Sequence, residues 1–223
     1  MDKRTQRVFS VLIPVMVMAL ACTCLPSGNG GEEPPPPPPP PEAIFQDDFG
    51  DAGSGWEVGE YNTGSVGYAS GAYFVISSDQ EWVMWGVANR SFDNIIVDVD
   101  ATQVSAGPTD DNAYGVVCRE QGDGGGYYLR ISGDGYYSIA KSDGSDFESL
   151  VDWAESDAIR QGNATNHIRT ICDGSSLVLF VNGQRLAQAN DSTFTSGDIP
   201  LTVTTFEPEP SEVHFDNLVV TEP

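Results

Sequence analysis

The sequence predicts an all-β fold, a two-sheet antiparallel jelly-roll sandwich, and three observations carry that expectation. From about Ala43 to Thr221, apolar residues alternate over short runs and nowhere sustain a 3.6-residue period. These runs are rich in Val, Ile, Tyr and Trp, which suit a pleated, half-buried surface, and Gly, Asp and Asn punctuate them. No helical pattern separates one run from the next, so the crossover helices of a parallel sheet have no place to form.

The first segment of the chain reads as an address. Lys3, Arg4 and Arg7 give a positive start, and Val8 to Ala21 is a 14-residue apolar run interrupted by Ser10 and Pro14. A membrane span needs about 20 residues, whereas a run of this length suits the core of a signal peptide. The run ends Met18-Ala19-Leu20-Ala21-Cys22, which resembles the bacterial lipoprotein box, with Ala19 where leucine is commonest. The resemblance implies cleavage before Cys22 and acylation of its sulfur and new N-terminus, a multi-chain anchor of the kind that holds stably. Cys24 follows Thr23 and is a poorer acylation site. An ordinary secretory signal is the alternative reading.

Next comes a tether. Ser27 to Glu33 is flexible in composition, and Pro34 to Pro41 is an unbroken run of eight prolines. Proline fixes φ and cannot donate, so the run should extend as polyproline II, at ~3.1 Å per residue. Such a run can also be a ligand for small recognition modules, but beside a lipid anchor a stand-off spacer is the better reading.

Strands are then expected near Ile44–Phe49, Trp56–Tyr61, Val66–Tyr68, Ala72–Ser77, Trp82–Ala88, Ile95–Gln103, Ala113–Glu120 and Tyr127–Ser132. Seven more follow near Tyr136–Ser142, Ser149–Ala154, His167–Asp173, Leu177–Val181, Gln184–Ala189, Ile199–Thr205 and Val213–Thr221. Asn182-Gly183 supplies the two positive-φ residues of a type I′ hairpin turn, and Ser132 to Gly135 joins two Tyr-rich strands. One or two helical turns are expected around Ser156–Gln161. No break in composition divides residues 43–223, and one core can serve that length, so a single domain follows 1–21 (signal) and 22–42 (tether).

Phe45-Gln-Asp-Asp-Phe49 with Trp56 after it, the Leu179 to Gln184 hairpin, and Val213-His-Phe-Asp-Asn-Leu-Val-Val220 together resemble the concanavalin A-like lectin/glucanase superfamily. Within it, laminin-G-like domains and the bacterial 3-keto-disaccharide hydrolase group are most similar. The resemblance implies two curved antiparallel sheets with ligands on the concave face or its rim. It also implies a structural calcium ion near Asp216, because the aspartate of the closing strand helps hold one in family-16 glucanases. The alternative is that Asp216 caps a neighbouring turn.

Charge narrows the partners. The chain carries 33 acidic and 10 basic residues, and after Arg7 there remain 32 against 7. Such a body repels phosphate backbones and anionic headgroups, which excludes nucleic acid and leaves the lipid as the sole route to a membrane. Catalytic motifs are scarce. There is no Gly-x-Ser-x-Gly elbow and no phosphate loop, and His167 and His214 stand in separate strands without zinc-site spacing. The Glu-x-Asp-x-x-Glu run of family-16 hydrolases is absent, since Glu155-Ser-Asp157 lacks the third carboxylate. Asp98 and Asp100 share one face of a strand, ~6.6 Å apart along it, a separation of the glycosidase order without a recognisable partner.

Parity gives the candidate site. Tyr127, Leu129 and Ile131 should face the core, leaving Tyr128, Arg130 and Ser132 outward, with Tyr136 and Ser138 across the turn. Arg119 follows outward Gly115 and Val117, and Arg169 opposes Ile168 and Cys172. If these strands share a sheet, its outer face gathers Arg119, Arg130, Arg169, Tyr128 and Tyr136, with Asp98 and Asp100. That face could bind a sugar or an acidic glycan, or be a ladder of surface salt bridges. Cys118 and Cys172 share core parity in a compartment that permits oxidation, which predicts a disulfide, two buried thiols being the alternative. The functional expectation is a lipid-anchored, extracytoplasmic, non-catalytic module that binds carbohydrate or a cell-surface polymer. A glycoside-processing enzyme and a structural or protein-interaction domain on a stalk are the alternatives.

Overall fold

Alternation along the chain becomes fifteen antiparallel strands in the computed structural model, which describes residues 42–223. In chain order the first eight are β1 (Ala43–Asp47), β2 (Gly59–Tyr61), β3 (Gly64–Ala69), β4 (Ala72–Ser77), β5 (Val83–Gly86), β6 (Ile95–Ser105), β7 (Asn112–Cys118) and β8 (Gly125–Ile131). The rest are β9 (Tyr136–Asp143), β10 (Phe147–Glu155), β11 (Thr165–Asp173), β12 (Ser176–Val181), β13 (Gln184–Asn190), β14 (Leu201–Thr205) and β15 (Ser211–Thr221). The expected lipoprotein signal, with Cys22, and the expected proline tether lie outside the described residues.

Two sheets stack. A nine-stranded sheet runs β13-β12-β11-β6-β15-β4-β3-β2, with β1 also pairing β15; a six-stranded sheet runs β10-β9-β8-β7-β14-β5. Between them lies one core. Val97, Val99 and Ala101 from β6 and Val213, Phe215 and Val220 from β15 meet Tyr114, Val116, Leu129 and Ile131 from β7 and β8. Every second residue points inward, as period-2 patterning requires for a sheet with one face on the core. Aromatic rings close one end, where Trp56 packs against Phe49 and Tyr73 with centroids 5.3 and 5.2 Å apart.

Asn182 and Gly183 take φ of 50° and 83° and turn β12 into β13, the positive-φ pair that the Asn-Gly dipeptide predicts. The expected helix at Ser156–Gln161 is instead a turn: Ile159 N–H donates to the Ser156 carbonyl at 3.2 Å, and the Ser156 hydroxyl accepts from Ala158 N–H. Gly162 then takes φ of +67°, a left-handed residue that ends any helical run. The sulfurs of Cys118 in β7 and Cys172 in β11 are bonded, at a Cα–Cα separation of 6.6 Å, so the bond joins the two sheets.

Candidate functional site

The outward set of β8 does not face open water. Tyr127, Leu129 and Ile131 belong to the core between the sheets, and Tyr128 and Arg130 point away from it, yet they keep only 1 % and 7 % of their exposure. Strand β10 supplies the cover. It is the edge strand, and its pairing with β9 shifts register twice, between Ser149 and Val151 and between Val151 and Ala154. Each shift inserts an extra residue and re-aims the side chains that follow. Val151 therefore sits opposite core-facing Ile139, and Ala154 opposite Tyr137, while Phe147 and Trp153 both turn to the outer face. There the Arg130 guanidinium carbon lies 5.4 Å from the Tyr128 ring centroid, 5.1 Å from Phe147 and 5.5 Å from Trp153. Tyr128 O–H donates to the Gly124 carbonyl at 2.8 Å, and its ring meets Phe147 edge-on.

Two open cavities flank this stack. One, of about 310 Å³, is lined by Trp82, Trp85, Gly124, Tyr128 and Phe147. The other, of about 400 Å³, is lined by Asp111, Asp134, Tyr136, Trp153 and Phe206. Arg130 stands between them, since its three rings contribute a wall to one or the other. Tyr136, Phe147, Trp153 and Trp82 are all substantially exposed, so the face presents stacking surface to solvent. Burial pulls the Arg130 guanidinium down to about 10, which still leaves it charged at neutral pH. Burial, with Asp134 and Glu207 nearby, raises the Asp111 carboxyl above the usual carboxylate range. Burial also raises the Tyr128 hydroxyl, which keeps it a neutral donor.

Of the expected site residues, Tyr128, Arg130 and Tyr136 meet on this face, and the others do not. Arg119 breaks parity because the chain leaves β7 at Cys118 and Arg119 itself takes φ of 57°. Its guanidinium turns inward, 1 % exposed, and donates to the carbonyls of Asp93, Gly174, Phe194 and Cys172 and to Asn94 Oδ1. Arg169 lies on the other sheet, because β11 pairs β6 and β12 rather than β7 or β9. On that sheet's outer face its Nε donates to Asp98 Oδ1 at 2.7 Å. His167 lies 3.0 Å from the same oxygen and 2.9 Å from Asp100 Oδ1. Asp98 and Asp100 are thus engaged by neighbouring strands, in the cross-strand salt-bridge arrangement.

At Asp216, Oδ1 accepts the Asn217 N–H at 2.7 Å, and Asp100, opposite it in register, accepts from Asn217 through Oδ2. Among the described residues no three or more His, Cys, Asp or Glu side chains gather where they could hold a metal ion.

Phe147, Trp153, Trp85 and Phe206 were not among the expected site residues. The signal for β5 was present: Trp82-Val-Met-Trp85 is apolar at four successive positions, so both faces of an edge strand are apolar. For β10 the two bulges scramble alternation, and nothing in the sequence locates a bulge.

No family model and no curated protein matches the chain, but solved structures do. A carbohydrate-binding module, CBM66 from Bacillus subtilis, superposes with a TM-score of 0.62 at 15 % identity, over 76 % of this chain and 96 % of that one. The domain has the concanavalin A-like fold. A β-glucanase from Bacillus licheniformis is similar at a TM-score of 0.61 and 12 % identity, over 80 % of this chain and 98 % of that one. A Bacillus subtilis protein described as having a galectin-like fold gives 0.59 and 13 %, over 81 % and 96 %. Both sheets of the concanavalin A-like domain, and the jelly-roll order of its strands, agree with the expectation from sequence.

Proposed function

We propose that the chain is a carbohydrate-binding module held outside the cytoplasm by a lipid on Cys22, and that its ligand lies on the outer face of the six-stranded sheet. The observation that carries this is the stack of Tyr128, Phe147 and Trp153 around Arg130, flanked by two open cavities to which Tyr136, Trp82 and Trp85 add their rings. Aromatic rings offer their faces to sugar C–H surfaces, and a few polar groups fix orientation, which is the usual composition of a ligand groove. The fold shared with a carbohydrate-binding module supports the same reading.

The test is a glycan array probed with the full chain in mild detergent, beside the Trp153→Ala variant. Trp153 is 41 % exposed, so its removal should leave folding intact. Loss of a stacking platform costs ~1–3 kcal/mol, so affinity for any ligand found should fall about 5- to 150-fold. Unchanged affinity would move the site off this face. Reducing-sugar release from the bound glycan would replace binding with turnover, the glycoside-processing alternative.

Anchoring has its own measurement. With Cys22→Ser, the protein is expected to leave the detergent phase for the aqueous phase on extraction. Unaltered partitioning would remove the lipid from the proposal.

A further inference from the structure

We propose that Arg130 receives the carboxylate of an acidic sugar, so that the ligand of the outer face is a carboxylated glycan rather than a neutral one. The inference rests on the carbohydrate-binding reading above and adds its chemical class.

A guanidinium has five N–H donors and no acceptor. The domain's other enclosed arginine, Arg119, meets five acceptors. Arg169 has Asp98, Arg160 has the Thr165 carbonyl, and Lys141 has Glu148 and Asp191. Around Arg130, among the described residues, no oxygen accepts a hydrogen bond and no carboxylate forms an ion pair. Its Nε is wholly enclosed and without a partner, and so is the hydroxyl of Ser138, its neighbour across the β8–β9 pair. Arg90 and Arg185 are exposed to water, so among the described basic residues Arg130 alone is enclosed and yet meets neither a carboxylate nor a carbonyl.

The stack of Tyr128, Phe147 and Trp153 compensates the charge in part through its ring faces, but supplies no hydrogen-bond acceptor. An enclosed charge without acceptors is costly, and the two Nη groups, which meet no protein acceptor and are not wholly enclosed, are where an incoming anion recovers part of that cost. A carboxylate matches the planar fork through two parallel hydrogen bonds, and the water-poor, ring-lined setting strengthens them. The exposed rings on either side would seat the sugar bodies that carry and follow the acid. A neutral sugar hydroxyl offers one acceptor and no charge, so it would satisfy the site only in part.

The full chain is titrated with polygalacturonate, alginate and hyaluronan, each beside its carboxyl-reduced, neutral counterpart, and with dextran sulfate. At least one carboxylated polymer is expected to bind ten-fold or more tightly than its reduced form and more tightly than dextran sulfate. Arg130→Met, which keeps the packed stem without the donors, should bring the two forms to equal affinity. Arg130→Lys, with charge but no fork, should fall between. If either variant fails to fold, the wild-type comparison of each polymer with its reduced form still decides. Equal binding of carboxylated and reduced polymers would overturn the inference while leaving the carbohydrate-binding reading in place. Equal or tighter binding of dextran sulfate would overturn the assignment to carboxylates. Binding to no polymer of either kind would overturn both.

Discussion

Arg119→Met is expected to destabilise the domain by about 3–5 kcal/mol, the scale of removing one partner from a buried, hydrogen-bonded charged network. The side chain is 1 % exposed, and its donors hold four carbonyls from three separate segments: Asp93 after β5, Cys172 and Gly174 at the end of β11, and Phe194 between β13 and β14. Methionine would fill much of the volume but leave those carbonyls and Asn94 Oδ1 enclosed and unpaired. At about 2–4 °C per kcal/mol for a domain of this size, the melting temperature should drop by roughly 6–20 °C. Arg169→Met is the matched control. Its ion pair with Asp98 is half exposed and should be worth under ~1 kcal/mol. A loss at Arg119 no larger than at Arg169 would mean that water takes over the carbonyls and that the guanidinium does not organise these loops.

The same residue shows where sequence reasoning reaches its limit. Parity along a strand holds only while the backbone stays extended, and at Arg119 the chain turns into the left-handed region, so counting by twos from Val117 assigns it to the wrong environment. Within β8, where the strand is regular, parity placed Tyr127, Leu129 and Ile131 in the core and Tyr128 and Arg130 on the other face. It could not say that a neighbouring strand would cover that face. Local alternation also carries no information about which strands become neighbours. Arg169 and Arg130 look alike in sequence, each opposing apolar residues on its strand, and the topology puts them on different sheets. A run near each of the fifteen strands was legible; most have an apolar buried side, whereas the short β2, Gly59-Glu-Tyr61, is held by its pairing with β3. Of the candidate site, the centre was legible, Arg130 with Tyr128 and Tyr136 on one face. Its walls come from a bulged edge strand, an apolar edge strand and the loop residue Phe206, three settings where a period-2 pattern is interrupted, doubled or absent.

Removing the Cys118–Cys172 bond should cost the other large share of stability. The cysteines are 54 positions apart in sequence, and constraining a loop of that length in the unfolded chain is worth roughly 4 kcal/mol in the chain-entropy model. A Cys118→Ala, Cys172→Ala variant should therefore unfold at markedly lower urea concentration than the oxidised protein. Wild type under reductant should lose less than the double variant, since its buried thiols still fill the space between β7 and β11. The slope of the urea transition should differ between oxidised and reduced protein, because the cross-link restricts how far the unfolded chain opens. Arg119 sits next to Cys118 in sequence and donates to the carbonyl of Cys172, so the two ties share a residue pair. Their losses should not add. Once the disulfide is gone, Cys172 is free to move away from the guanidinium, and Arg119→Met in that background should cost less than in the oxidised domain, by ~0.5–3 kcal/mol. Strict additivity would show that the loop anchor and the cross-link act on separate parts of the sandwich.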